Sequence, residues 1–214
     1  MNSTPLSSTP RTRLGRSKDR ARTDRSALYE VLDAGRICHL GVVVDGSPMV
    51  IPTGYGRSGD TLYLHGSSGA SSLLAGSGQE ICVTVTHFDG IVIARSVFHH
   101  SVNYRSAVIY GIPQPLAGEE KLAGLEAITE RLAPGQWSTA RLPTQKELAA
   151  TTVLGLSLEE ASVKVRQGPP NDDDEDYALD VWAGVLPVQQ TFGTPVPDPR
   201  LRPGIPVPPH LEAG

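Results

Sequence analysis

Cysteine is nearly absent: Cys38 and Cys82 are the only two in 214 residues. Both stand inside apolar runs, where a reduced, buried thiol is the expected state, and a disulfide scaffold is excluded. Aromatic residues are scarce at 5%, so any core must be built mainly from aliphatic side chains. Long hydrophobic runs are missing too. The longest is about a strand in length, far below the ~18–20 residues of a membrane helix. No apolar segment follows Met1, where the chain reads Ser, Thr, Pro and Arg. That argues against ordinary secretion and for a cytoplasmic protein with no membrane partner. A hydrophobic fraction of 39% still suffices for a packed core, and the length suits one domain with an appendage.

Charge is unevenly spread. Arg11, Arg13, Arg16, Lys18, Arg20, Arg22 and Arg25 face only Asp19 and Asp24 in the first 25 residues, while the whole chain carries −4. A basic arm can touch nucleic acid. This one lacks interleaved aromatics and precedes an acidic body, which argues against nucleic acid as a partner. Residues 1–23 are therefore expected to form a solvated, disordered leader.

Order is expected from Asp24, a suitable N-cap, with Leu28, Val31 and Leu32 on one helical face before Gly35. Ile37–Val44 reads as a strand, Asp45-Gly46 as a hairpin turn and Met49–Tyr55 as the returning strand. Thr61–His65 follows, then a Gly/Ser loop over Gly66–Gly78 opening a short helix with Leu73 and Leu74 inward. Ile81–Phe88 alternates with period two, Asp89-Gly90 signals a turn, and Ile91–Arg95 and Tyr104–Gly111 continue the meander. Gly118–Leu132 has Leu122, Leu125, Ile128 and Leu132 at helical spacing, and a second helix is expected near Thr144–Thr151. Strands at Val153–Leu158 and Ser162–Arg166 precede PPNDDDED (169–176), an acidic loop that should not pack. A last strand is expected around Trp182. Dense proline from Thr194 predicts an extended tail over 194–214, lying on the body with Ile205 and Val207 as anchors. The whole is an α+β, mainly β, barrel with peripheral helices spanning 24–193.

Gly54-Tyr55-Gly56-Arg57-Ser58-Gly59 matches a dinucleotide fingerprint, but a strand follows it where the phosphate mechanism needs a helix N-terminus. It reads as a hairpin. No P-loop or nucleophile elbow is present. His99-His100 is the only histidine pair, and neighbours on a strand point to opposite faces, a poor chelate. No metal site is expected. His65-Gly66-Ser67 through Ser71-Ser72 places hydroxyls and backbone donors where a strand gives way to a helix, which suits either a phosphate monoester or a plain flexible loop. Arg95 to Ser106 crowds two Arg, two His, an Asn and a Tyr between apolar strands, and such groups need partners.

The runs VIPTGYG (50–56), DTLYLHGS (60–67), the segment 83–108 with its ARSxFHHSxNYRS core, and AGVLPV (183–188) resemble pyridoxamine 5′-phosphate oxidase-like proteins. More narrowly, they resemble the flavin-nucleotide-binding or nitroimidazole-resistance-like branch. The resemblance implies a split β-barrel that forms a homodimer and binds FMN in clefts between subunits, with haem or a deazaflavin as lesser alternatives. It places Val50, Ile51, Pro52, Thr53, Gly54 and Tyr55 along the flavin ring, and His65, Gly66, Ser67 and Ser71 at the phosphate. Arg95, Ser96 and Arg105 would complete the cleft, and His99 and His100 would contact a small-molecule substrate. The implied activity is an FMN-dependent oxidoreductase in which the cofactor carries the chemistry, so no catalytic side chain is assigned. One departure stands out. Relatives often carry a cation at the phosphate loop, whereas Ala70-Ser71-Ser72 supplies none: either Arg95 or Arg105 takes the charge, or FMN binds weakly, or another cofactor is preferred.

Overall fold

The computed structural model describes residues 5–69 and 77–212. Ser71, Leu73 and Leu74 lie outside the described residues. Helix α1 (Arg25–Ala34) buries Leu28, Val31 and Leu32 as its spacing requires, with Asp24 at the N-cap position. Strand β2 (Ile37–Val44) alternates so that Cys38, Leu40 and Val42 point inward. It turns at Asp45 and Gly46, whose φ values of 50° and 77° are those of a two-residue hairpin matched to strand twist. Strand β3 (Ser47–Ser58) returns, followed by β4 (Thr61–Ser67).

The expected break at Asp89-Gly90 is absent. Strand β5 (Ile81–Ile93) runs straight through, with a register shift between Phe88 and Gly90 against β6 (Ser101–Gly111). One extra residue bulges and the strand bends instead of reversing. Gly90 is needed there because β10 (Gly184–Pro187) crosses so closely that a Cβ would lie 2.9 Å from the Leu186 carbonyl oxygen. Trp182 precedes β10 and is exposed, so the last strand starts later than its aromatic suggested.

With β1 (Ala21–Arg22), β7 (Gln114–Pro115), β8 (Thr151–Ser157) and β9 (Ala161–Arg166), the ten strands among the described residues form one antiparallel sheet in the order β1-β9-β6-β5-β2-β3-β4-β8-β7, with β10 beside β5. Strands β8 and β9 fall where the sequence placed them. Two-residue strands β1 and β7 edge the sheet. The sheet curls around Leu28, Leu32, Tyr55, Leu62, Leu64, Val83, Val85, Ile109 and Leu156. The Tyr55 hydroxyl donates to the Leu32 carbonyl at 2.5 Å, satisfying the one polar group on that buried ring.

Helix α2 (Gly118–Leu132) packs across β3 and β4, burying Gly124 and Ile128 and leaving Leu122 and Leu132 partly exposed. Its backbone approaches the sheet through Gly56. Short helices α3 (Gln136–Thr139) and α4 (Gln145–Ala149) follow, the second with a Thr144–Glu147 capping box.

Two terminal expectations change. The described part of the leader is ordered against the body: Leu6 donates its N–H to Thr23, and Ala21-Arg22 pairs with Val163-Lys164. Arg11 reaches Glu160 at 2.6 Å and Glu80 at 2.5 Å. Of the leader's cations Arg11 alone makes ion pairs among the described residues, and the Ser7 and Thr9 hydroxyls add bonds to the Glu159 carbonyl and the Glu160 carboxylate. The tail is extended until α5 (Pro209–Glu212), with Ile205 exposed and Val207 half-buried. Its firmest anchor is His210, whose Nε2 lies 3.0 Å from Gln136 Oε1 with the ring against Gly135.

Candidate cofactor cleft

Strand β3 changes partner part-way along. Ser47 to Gly54 pair with β2, and Tyr55 to Ser58 pair with β4. Beyond the Tyr55–Leu64 pair the two strands part, since β4 continues beside β8 while β3 turns towards β2. Pro52, Thr53 and Gly54 thus stand on one arm of a split and His65, Gly66 and Ser67 on the other. The topology brings together two segments that the sequence singled out separately.

The split has the character of a ligand site. The edge of β3 opposite β2 is unpaired over Ser47–Gly54 among the described strands, leaving backbone donors and acceptors available. The His65 Nδ1 is buried with no hydrogen-bond partner among the described residues. Burial holds its imidazole below the usual histidine range, so the ring is neutral near neutral pH. A buried ring nitrogen left unpaired costs free energy unless something meets it. Ser67 Oγ accepts the Gly69 N–H at 3.3 Å, keeping that end of the loop compact.

The β5–β6 connection is arranged differently from expectation. Arg95 donates its backbone N–H to Asp172 at 2.9 Å and its Nη1 at 3.1 Å, and the Ser96 N–H adds a third donor at 3.2 Å. The Asp172 side chain is fully buried. Burial pushes its carboxyl up, but the backbone N–H groups of Arg95 and Ser96 with the guanidinium outweigh that, and the net shift is downward. So the acidic loop does pack, through one residue. Arg95 also stacks over Tyr177 at 4.6 Å. Arg105 is held by both oxygens of Asp89 at 2.9 Å. The two arginines do not converge: Arg105 pairs with His87, eight positions before Arg95, roughly 25 Å along an extended chain. Each is neutralised by its own carboxylate, which corrects the expectation of a shared phosphate clamp.

His99 and His100 do not lie on the strand expected of them: His99 ends a 3-10 turn, Val97–His99, and His100 caps it. His100 Nδ1 accepts the Ala94 N–H at 3.0 Å, and His99 Nε2 lies 3.2 Å from Asp173 Oδ2. Both fasten the turn Val97–His99 locally. His99, Asp173 and Asp176 present ligand-type atoms within 4.8 Å of one another. Asp172 was missed as a site-shaping residue because its run of carboxylates reads as solvated, and its partners lie 76 and 77 positions away.

A groove of about 520 Å³ opens elsewhere, between α2 and the end of α1, lined by Asp33, Arg57, Tyr63, Glu126, Glu130 and Arg131. None of the residues expected at the cofactor lines it. Glu130 is occupied in accepting the Gly135 and Trp137 N–H groups.

On the open side of the sheet, the outward positions of β2 and β3 form an apolar face. Ile37 is 53%, Val43 51% and Val50 67% exposed, with Pro48 and Pro52 on the same face by register. No helix among the described residues is long and apolar enough to cross a membrane.

Residues 24–165 match the family model for pyridoxamine 5′-phosphate oxidase. The chain belongs to the pyridoxamine 5′-phosphate oxidase family. Within it, the chain is similar to the flavocytochrome Anf3 of Azotobacter vinelandii, at 41% identity over 97% of both chains and a TM-score of 0.91. It is similar also to the FAD and heme binding protein of Mycobacterium smegmatis, at 40% identity over 90% of this chain and 95% of that one, TM-score 0.87. A putative 5-nitroimidazole antibiotic resistance protein of Bacteroides thetaiotaomicron shares the fold at 19% identity, covering 68% of this chain and 86% of that chain, TM-score 0.56. No curated protein matches. The fold is that of the split-barrel relatives, a mainly antiparallel sheet, as the sequence resemblance implied.

Proposed function

We propose that this chain is a flavin-dependent redox protein that also carries haem and works as a homodimer. The observation that carries the reading is similarity at about 40% identity, over nearly the whole length, to a flavocytochrome and to a FAD and heme binding protein. The split supports it locally. A flat heteroaromatic ring laid along Pro52–Gly54 would meet the unpaired backbone edge of β3, and the orphaned His65 Nδ1 would gain a partner. Flavin would supply hydride acceptance and single-electron release, and haem a one-electron store. The protein's share is to bind, orient and exclude water.

A haem needs an axial ligand with a free lone pair. His87 Nε2 is bonded to the Val31 carbonyl at 2.8 Å. His100 Nδ1 is an acceptor, so the proton of the neutral ring sits on Nε2, which then has no lone pair for iron. His39, exposed on β2 beside Pro52, and His65 at the split are the family-barrel imidazoles that no protein group engages among the described residues. Between flavins, FAD is favoured over FMN. An FMN phosphate wants a cation, and the two arginines expected to supply it are bound to Asp172 and Asp89.

The partner is a second copy. The apolar face around Val50 is what a flat dimer interface requires, and closing it would turn each split into an enclosed cleft. Oxidoreductase action on a small organic substrate goes with this reading, whereas tight cofactor without turnover would mark an electron carrier on the same fold. An absorbance spectrum of freshly purified protein tests the proposal. Flavin bands together with a Soret band support it, and the Soret band should vanish in either His39→Ala or His65→Ala. A colourless protein with neither band overturns it.

A further inference from the structure

Most half-buried arginines of this protein have a carboxylate of their own. Arg25, Arg57, Arg95 and Arg105 each meet one at between 2.5 and 3.1 Å. Arg22 and Arg36 instead donate to backbone carbonyls, with Arg36 also stacked on Phe192, and one further group of cations lacks a carboxylate. Arg20, Lys164 and Arg166 gather where β1 meets β9, and among the described residues no carboxylate lies within ion-pair distance of any of them. They are nonetheless partly buried. Arg166 is held in place by the Asn103 side chain and by the Gly168 carbonyl at 3.3 Å. Its guanidinium is pushed below the ordinary arginine value by burial first and then by the charge of Arg20. Lysine at a sheet edge is ordinary protection against edge pairing. Arg20, in the turn leading into β1, and Arg166, on the neighbouring β9, add two more like charges at this edge of an acidic protein, more than edge protection calls for.

Aromatic surface adjoins these cations. The strand register sets Phe88 opposite Tyr104 and Tyr104 opposite Arg166, and sets Thr86 opposite Ser106 and Ser106 opposite Lys164. In an antiparallel sheet such cross-strand neighbours share a face. That face is the outer one, since the alternate residues Val85 and Ala107 are buried in the core. Phe88 is 48% exposed. The result is a row running aromatic, aromatic, cation across three strands, with hydroxyls and a second cation one pair along.

We infer that this face binds the diphosphate of a nucleotide, with the phosphates on Arg20, Lys164 and Arg166 and the base against Tyr104 and Phe88. A guanidinium pair suits adjacent phosphates, and an exposed ring suits a purine or pyrimidine face. A long polyanion fits poorly, because the body around the patch is acidic and would repel whatever extends beyond it. Two sources share the chemistry: the ADP half of a bound FAD, or a nicotinamide dinucleotide delivering electrons. Only that choice of source rests on the proposed redox function; the site stands on its own residues.

The test uses the purified protein, with ADP as probe, and compares wild type with Arg20→Ala and Lys164→Ala. Among the described residues Arg20 and Lys164 make hydrogen bonds only through their backbone. Titration calorimetry should show ADP binding weakened about 10-fold by each substitution. If the face is already filled by FAD, ADP will not bind wild type, and acid extraction should release FAD from wild type but markedly less from the variants. If a dinucleotide donor uses the face, flavin content stays constant while the KM for NADPH rises about 10-fold in each variant. A protein without flavin that still binds ADP in this residue-dependent way sinks the redox reading and leaves the site. The site itself is overturned by any of three results: no ADP binding together with no bound FAD, ADP affinity unchanged in both variants, or inorganic phosphate binding as tightly as ADP.

Discussion

Asp172 closes a ring on Arg95, accepting the residue's own backbone N–H at 2.9 Å and its side-chain Nη1 at 3.1 Å. One carboxylate thereby joins the acidic loop to the end of β5 and fixes the turn that carries His99 and His100. Asp172→Asn should lower the urea midpoint clearly, because an amide cannot accept from all these donors at once, while Asp174→Asn on the same loop should leave it unchanged. The effect should depend on pH. Asp172 sits below the usual carboxylate range in the folded protein, so its contribution is complete above the unfolded value of ~3.9 and is lost as pH falls through the lower folded value. The midpoint gap between wild type and Asp172→Asn should be full at neutral pH and close in acid below about 4. A gap of constant size across that range would contradict the assignment.

Gly56 sets the distance between α2 and the sheet. A Cβ there would lie 2.4 Å from the Ala127 backbone carbon and the Ile128 nitrogen, and backbone cannot move aside as a side chain can. Gly56→Ala should therefore destabilise by about 3 kcal/mol, the upper range for overpacking. Gly124→Ala, where the Val153 side chain is met at 2.9 Å, should cost less. Equilibrium unfolding of the two variants orders them.

Val50 is 67% exposed on the apolar face assigned to the second copy. Val50→Glu should place one carboxylate from each chain in an interface without partners, a cost of several kcal/mol that favours separation. Light scattering should give twice 22.8 kDa for wild type and 22.8 kDa for the variant. A wild-type monomer at micromolar concentration would defeat the homodimer.

The tail's grip through His210 makes a simple expectation. His210→Ala removes the contact with Gln136 and Gly135 and should speed tryptic cleavage after Arg200 and Arg202 several-fold, with little change in global stability. Equal cleavage rates would mean that the extended segment holds itself by other contacts.

Local pattern was legible in this sequence wherever one strand or helix decides its own fate. Leu28, Val31 and Leu32 marked α1, and Asp45-Gly46 marked a hairpin. Asp89-Gly90 carries the same signal yet sits inside a strand, because β10, about a hundred positions later, crosses there and turns a reversal into a bulge. The fates of Arg95, Arg105 and Asp172 were hidden for the same reason. A charged residue's partner is chosen by tertiary proximity, and 169–176 gives no hint that one of its acids is buried. The split was half-legible: residues 50–55 and 65–67 were identified on resemblance, but that they face one another follows from β3 changing partners at Tyr55.

The central claim is that the split between β3 and β4 holds a flavin. The most direct measurement is to denature the purified protein, quantify the flavin released per chain and identify it by chromatography. One flavin per chain in wild type, with a large loss when Gly54→Glu fills the arm opposite His65 in a chain that still folds, is the expected result. A folded wild-type protein that releases none, and takes up neither FAD nor FMN when they are added, would contradict the account.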